Sequence, residues 1–258
     1  MKVGKIFSVS FSPTGGSGKV ARTVAEALGG SEIRTLDLTL RETPDVALSD
    51  TDFLVVSMPV YSGRMPALAK ERFAAVRGNK TPCVAVVVYG NRHYDDALDE
   101  LVTCCEEQGF TVVGAAAFIA EHSFSFPDSP VAEGRPDAQD LVRATEFAQA
   151  VVQGRTDPQS LPRKSAYKTL PGQPFPAATG VDESRCTKCG KCAAVCPTGC
   201  IEMERDCFPV TQPHNCLWCL ACQRVCAVDA RVLLQEKISQ SNQKLQTHFS
   251  HRREPEWW

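Results

Sequence analysis

Apolar positions along residues 1–152 fall into two alternating kinds of run. KIFSVSF (5–11), SEIRTLDL (31–38), TDFLVVSM (51–58), PCVAVVVY (82–89) and FTVVGAAAFIA (110–120) are short and rich in β-branched or aromatic residues, so they read as strands. Between them GKVARTVAEAL (18–28), PALAKERFAAV (66–76) and YDDALDELVTCCEEQ (94–108) repeat apolar residues at helical spacing, and DAQDLVRATEFAQAVV (137–152) closes the segment. Short strands joined by crossover helices predict an α/β domain over 1–152 with a doubly wound, parallel, five-stranded sheet covered on both faces. From 153 to 180 the prolines of QGRTDPQSLPRKSAYKTLPGQPFPAATG deny regular helix, which predicts an extended linker. A small domain over 181–234 follows, with two self-similar halves. The polar tail, 235–258, ends in Trp257 and Trp258 and has two readings: disorder, or docking of the tryptophans onto this protein or a partner.

Composition narrows the chemistry. The 258 residues hold thirteen cysteines, an odd number, and most crowd between Cys186 and Cys226, which fits metal ligation better than a disulfide framework. The N-terminus lacks the apolar core of a signal peptide and no stretch is long enough to span a bilayer, so a reducing cytoplasm is the expected compartment. A formal net charge of -2 gives no electrostatic footprint for nucleic acid. A 4Fe-4S core held by four thiolates carries about -2 when oxidised, so a loaded protein would be more negative.

The cysteines form two CxxCxxCxxxC runs: Cys186, Cys189, Cys192 and Cys196 before Pro197, then Cys216, Cys219, Cys222 and Cys226. Three thiolates at successive spacings of three wrap one corner of an iron-sulfur cube, and the fourth points to a second cube. In that crossed arrangement Cys186, Cys189, Cys192 and Cys226 hold one 4Fe-4S cluster, and Cys216, Cys219, Cys222 and Cys196 the other. Zinc is the rival reading, but a four-ligand ion has no use for a third cysteine at the same spacing in each half. These residues closely resemble bacterial two-cluster ferredoxins, with one departure: Ala227 follows Cys226 where that family usually has proline. Cys83, Cys104, Cys105, Cys200 and Cys207 fall outside the pattern and read as free thiols. Arg185, Lys188, Lys191 and Arg224 lie in or beside the runs, where their charge either offsets the clusters, serves docking or is simply solvated.

After the first strand comes Ser12-Pro13-Thr14-Gly15-Gly16-Ser17-Gly18-Lys19. A Walker A loop fails at Pro13 and Val20. A GxGxxA fingerprint is present at Gly16, Gly18 and Ala21, with Asp37 about twenty residues on, but four residues intervene before its first glycine. Hydroxyls of Ser12, Thr14 and Ser17 with amides around Gly15 and Gly16 suit a terminal phosphate at a helix N-terminus, as in FMN. This loop resembles the flavodoxin phosphate loop. Pro59-Val60-Tyr61-Ser62-Gly63-Arg64-Met65-Pro66 and Tyr89-Gly90-Asn91-Arg92-His93-Tyr94 resemble the two loops that sandwich the isoalloxazine in flavodoxins. All three follow strands and would meet at the carboxyl edge of one flavodoxin-like sheet. Tyr61 and Tyr94 are candidates for flavin contact or for ordinary loop packing, and Arg92 is a candidate to stabilise a reduced flavin. Segments 121–127 and 134–137 follow the fifth strand and are expected between flavin and solvent, where His122 is either a proton donor or structural.

The whole chain thus resembles bacterial and archaeal ferredoxins with an N-terminal flavodoxin-like domain. That resemblance implies an electron-transfer protein with two 4Fe-4S clusters and FMN, working between a redox-protein donor and acceptor, alone or as a subunit of a larger oxidoreductase. Two alternatives are a self-contained FMN-dependent reductase of a small organic acceptor, and a flavin-free docking domain joined to cluster chemistry.

Overall fold

Apolar side chains fill both faces of the middle strands, and that requirement organises the first part of the chain. The structure is a computed structural model that describes residues 4–39, 45–170 and 176–258. Positions 171–175 of the expected linker, and residues 1–3 of the expected N-terminal domain, lie outside the described residues. The described chain folds as two compact units. One takes in the chain up to His122, Ala132–Leu170 and His251–Trp258; the other takes in Ser123–Val131 and the chain up to Ser250.

The first unit has strands β1 (Lys5–Ser10), β2 (Glu32–Asp37), β3 (Phe53–Pro59), β4 (Thr81–Tyr89) and β5 (Phe110–Ile119). Helices α1 (Gly16–Leu28), α2 (Ala67–Phe73), α3 (Ala97–Glu107) and α4 (Ala138–Val152) alternate with or follow them. The five strands pair in parallel in the order β2-β1-β3-β4-β5, which is the flavodoxin-like doubly wound order. Val20, Ala21, Val24, Ala25 and Leu28 form the buried stripe of α1, and Ala144, Phe147, Ala148 and Val151 that of α4. Both stripes pack with Val84, Val86, Val88 and Phe118 of the sheet. The edge strand β2 keeps Glu32 and Arg34 exposed, and charge on an edge opposes further strand addition.

In the second unit, β6 (Thr179–Val181) pairs antiparallel with β9 (Arg231–Leu233), and β7 (Ile201–Glu202) with β8 (Val210–Thr211). Short helices α5 (Lys191–Ala194) and α6 (Ala221–Arg224) lie inside the two cysteine runs. The tail is ordered structure. Helix α7 (Glu236–Phe249) buries Ile238, which packs with Ala178, Leu220, Phe124 and Phe126. Asn242 of α7 donates to the carbonyls of Phe124 and Ser129 at 2.6 and 2.8 Å. Residues 123–127, expected between flavin and solvent, are therefore built into the second unit.

The chain then returns to the first unit, where β10 (Glu256–Trp257) adds antiparallel to β5 and covers that edge. Trp257 packs against Phe147 and beneath Arg143, so the tryptophans dock on their own protein. The connector is held as far as Lys168. Arg163 pairs with Asp99 and Glu106, Lys164 with Asp96, and Lys168 with Asp95. Among the described residues no helix is long and apolar enough to cross a membrane.

Ion pairs also fasten the start of α4. Asp137 and Asp140 form a reciprocal capping box, and fully buried Asp140 pairs with Arg135 through both carboxylate oxygens. Removing one partner of a buried pair strands the other charge. Arg135→Ala is therefore expected to cost about 3–5 kcal/mol in urea unfolding. A loss below about 1 kcal/mol, typical of an exposed pair, would contradict this reading.

Candidate functional site

In the first unit, α1 begins at Gly16, with five residues between it and the end of β1, and Gly15 at φ 89° caps it without any side-chain hydrogen bond. Its first-turn amides have no intrahelical acceptor and the turn carries no acidic residue, so it is fitted to an anion. Ser12 shapes the loop: its Oγ accepts from Gly18 at 2.9 Å, and its amide donates to Thr39 Oγ1 at 2.6 Å. Ser17 is buried, Thr14 is half-buried and Gly15 is exposed. Gly16 needs its missing side chain, because a Cβ there would stand 2.8 Å from Ala120.

The segment after β3 is a tight hairpin turn. Tyr61 and Arg64 exchange both backbone hydrogen bonds across Ser62 and Gly63, which take φ 54° and 82°. Arg64 grips buried Glu100 with two hydrogen bonds of 2.7–2.8 Å, and the Met65 amide adds a third at 3.1 Å. The loop after β4 lies against this turn. Asp96 donates its amide to Gly63 O at 3.0 Å, and a Cβ at Gly63 would lie 2.1 Å from Asp95 Oδ2. Pro59, Tyr61, Ser62 and Gly63 are thus brought together with the second loop, at the carboxyl ends of neighbouring strands.

Within that second loop, Tyr89 and Asn91 are buried, and Asn91 Nδ2 donates to His251 O at 2.9 Å. Arg92 is engaged with Asp95. Tyr94 stacks on His93, meets Tyr89 and Trp258 edge-on, and places its hydroxyl 3.3 Å from Glu256. Burial, then the nearby Glu256 carboxylate, push the Tyr94 hydroxyl well above its usual range. Tyr94 is therefore tied to the C-terminal strand. His122 lies directly on Gly90, where a Cβ would stand 2.2 Å from its ring.

The second unit repeats itself at the backbone. Residues thirty apart share left-handed geometry: Lys188 with Trp218, Gly190 with Leu220, and Gly199 with Asp229. The curl aims three thiols of each run into one cavity, and the other run supplies the fourth. Cys186, Cys189, Cys192 and Cys226 line one cavity. Cys216, Cys219, Cys222 and Cys196 line another. Ala227 leaves its corner intact. Around Cys226 the amide bonds to Gln223 O at 3.1 Å and the carbonyl accepts from Asp229 at 3.2 Å, matching the bonds of Cys196 to Ala193 and Gly199.

Four cysteines lining one cavity are the donor set of a 4Fe-4S cluster. Among the described residues no three His, Cys, Asp or Glu side chains converge on a single metal ion. Comparison with protein families matches residues 179–202 to the 4Fe-4S binding domain. The second unit carries a 4Fe-4S binding domain.

No curated protein matches the chain. Among solved structures, it is similar to oxidised flavodoxin 1 from Bacillus cereus at 15% identity and a TM-score of 0.44, over 58% of this chain and 97% of that one. It is also similar to two-electron reduced flavodoxin from Megasphaera elsdenii, at 18% identity and a TM-score of 0.40, over 58% and 99%. Rubredoxin oxygen:oxidoreductase from Desulfovibrio gigas is similar at 12% identity and a TM-score of 0.36, over 59% of this chain and 36% of that one. The flavodoxin-like assignment rests on the strand order itself.

In the 4Fe-4S domain, Cys200 is a fifth thiol on the second cavity, 3.5 Å from Cys196 Sγ. Hydrogen bonding with Cys200 lowers the thiols of Cys196 and Cys216 and raises that of Cys200. Burial pushes Cys219 up to about 12, a cost that ligation would offset. The sequence reading missed Arg231, which is buried, lines the first cavity and bonds to Thr179 and Thr211. Aligning the two halves would have flagged it, since the matching residue of the first half is Ile201.

Proposed function

We propose that the chain is an electron-transfer flavo-iron-sulfur protein, relaying single electrons between two 4Fe-4S clusters and FMN. The observation that carries this reading is the pair of crossed four-cysteine cavities, borne by the same chain as a flavodoxin-like sheet with three loops at one edge. Clusters supply one-electron steps, and a flavin takes or gives two electrons one at a time.

The roles of the residues follow from their settings. Cys186, Cys189, Cys192 and Cys226 hold the first cluster, and Cys216, Cys219, Cys222 and Cys196 the second. Amide N–H groups hold the cavity thiols in place, as from Lys188 to Cys186 and from Ala230 to Cys226, at 3.4 and 3.2 Å. In the first unit, Thr14, Ser17 and the first amides of α1, around Gly15 and Gly16, receive the FMN phosphate, with Gly15 leaving open space beside it. Ser12 has already accepted a bond from Gly18, so its remaining role there is to donate its hydroxyl proton. The turn at Pro59, Tyr61, Ser62 and Gly63 and the loop from Tyr89 to Tyr94 flank the ring, with His122 beside Gly90. Arg92 contributes its charge while held by Asp95. A redox protein delivers electrons and another accepts them, which suits a dedicated donor or subunit of a larger oxidoreductase.

Anaerobically reconstituted protein is expected to hold about eight irons and eight sulfides per chain. Cys226→Ala should lower the iron to about four, and Cys200→Ala should leave it unchanged. Four irons in the parent protein, or loss of iron in Cys200→Ala, would contradict the ligand sets. For the flavin, Thr14→Ala and Ser17→Ala should each weaken FMN binding roughly tenfold, the size of one hydrogen bond to a charged group. Fluorescence titration giving parent affinity in both variants would remove the phosphate-loop assignment.

A further inference from the structure

The two halves of the 4Fe-4S domain are built alike but charged differently. In each run the residues after the fourth cysteine cross to line the other run's cavity: Val228, Ala230 and Arg231 at the first, Cys200 and Ile201 at the second. Ile201 and Arg231 are thirty residues apart and occupy equivalent places, both buried. One half thus seats an apolar side chain where the other seats a guanidinium.

Arg231 is 2% exposed, its closest hydrogen bonds go to neutral oxygens, and the Cys222 thiol is also within its reach. Nη2 donates to Thr179 O at 3.1 Å, to Thr179 Oγ1 at 2.7 Å and to Thr211 Oγ1. Its Nε and Nη1 are buried with no hydrogen-bond partner. A guanidinium keeps its charge at any ordinary pH, and a buried charge without a counterion is costly. The nearest candidate for compensation is the contents of the cavities. Arg231 lines the first, while Thr179 and Thr211 line the second and Thr179 Oγ1 lies 3.3 Å from Cys222 Sγ.

We propose that Arg231 is a buried countercharge shared by the two clusters, and that it makes them more easily reduced. The inference rests on the two-cluster reading. A cluster gains a negative charge on reduction, so a fixed cation beside it favours the reduced form.

The test is an anaerobic titration of the holoprotein with dithionite and mediators, followed by electron paramagnetic resonance and paired with iron analysis. The parent protein should show two cluster steps. Arg231→Gln and Arg231→Ile should lower the reduction equilibrium constant of at least one cluster step at least tenfold, which is 59 mV for one electron. Arg231→Lys should stay within threefold of the parent. Loss of clusters from both neutral variants but not from Arg231→Lys would also support a countercharge. Loss from all three would mark the side chain as structural and overturn the proposal. So would an Arg231→Gln variant with about eight irons and potentials within threefold of the parent, and that result would leave the two-cluster reading standing. About four irons in the parent protein would overturn both.

Discussion

A loop with thiols at spacing three closes one corner of a cavity and leaves a fourth position to be filled from elsewhere. Neither cysteine run therefore completes its own site, and the second unit is organised around that exchange. β6 enters the first run and β9 leaves the second, and their antiparallel pairing brings the end of one run beside the start of the other. The left-handed residues repeated thirty apart supply the curl in each half. Leu220 takes this geometry where its counterpart is Gly190, a strain that persists only because the surrounding loop fixes it.

Charge is handled differently in the two units. In the first, buried carboxylates have cationic or amide partners: Asp140 with Arg135, Glu100 with Arg64, and Asp96 and Asp99 with residues of the connector. These pairs hold the connector on α3 and stiffen the turn at Ser62 and Gly63. In the 4Fe-4S domain, Arg231 has no carboxylate partner among the described residues, and its neighbours are hydroxyls, a carbonyl and the Cys222 thiol.

Strand and helix patterning made the parallel sheet legible in the sequence, because buried parallel strands such as Val84–Val88 are continuous apolar runs. The cysteine spacing likewise pointed to two four-thiol sites, and the cavities have those linings. What the sequence did not disclose depended on partners distant along the chain. The tail is polar, yet Ile238 and Asn242 find their partners at Phe124 and Ser129, more than a hundred residues earlier. Trp257 and Trp258 become informative only beside the open edge of β5. The connector looks like a free linker because its prolines exclude helix, but Arg163, Lys164 and Lys168 are held by acidic residues of the loop and helix after β4. Tyr94 resembles a flavin-facing aromatic, and its hydrogen bond to Glu256 lies beyond any local pattern.

The central claim is that electrons pass between the clusters and the flavin within one chain. Rapid one-electron reduction of the holoprotein, followed optically at cluster and flavin wavelengths, tests this most directly. The account predicts a phase in which cluster and flavin signals change in opposite directions at one shared rate, independent of protein concentration. Signals that relax separately, or at rates that rise in proportion to protein concentration, would contradict it.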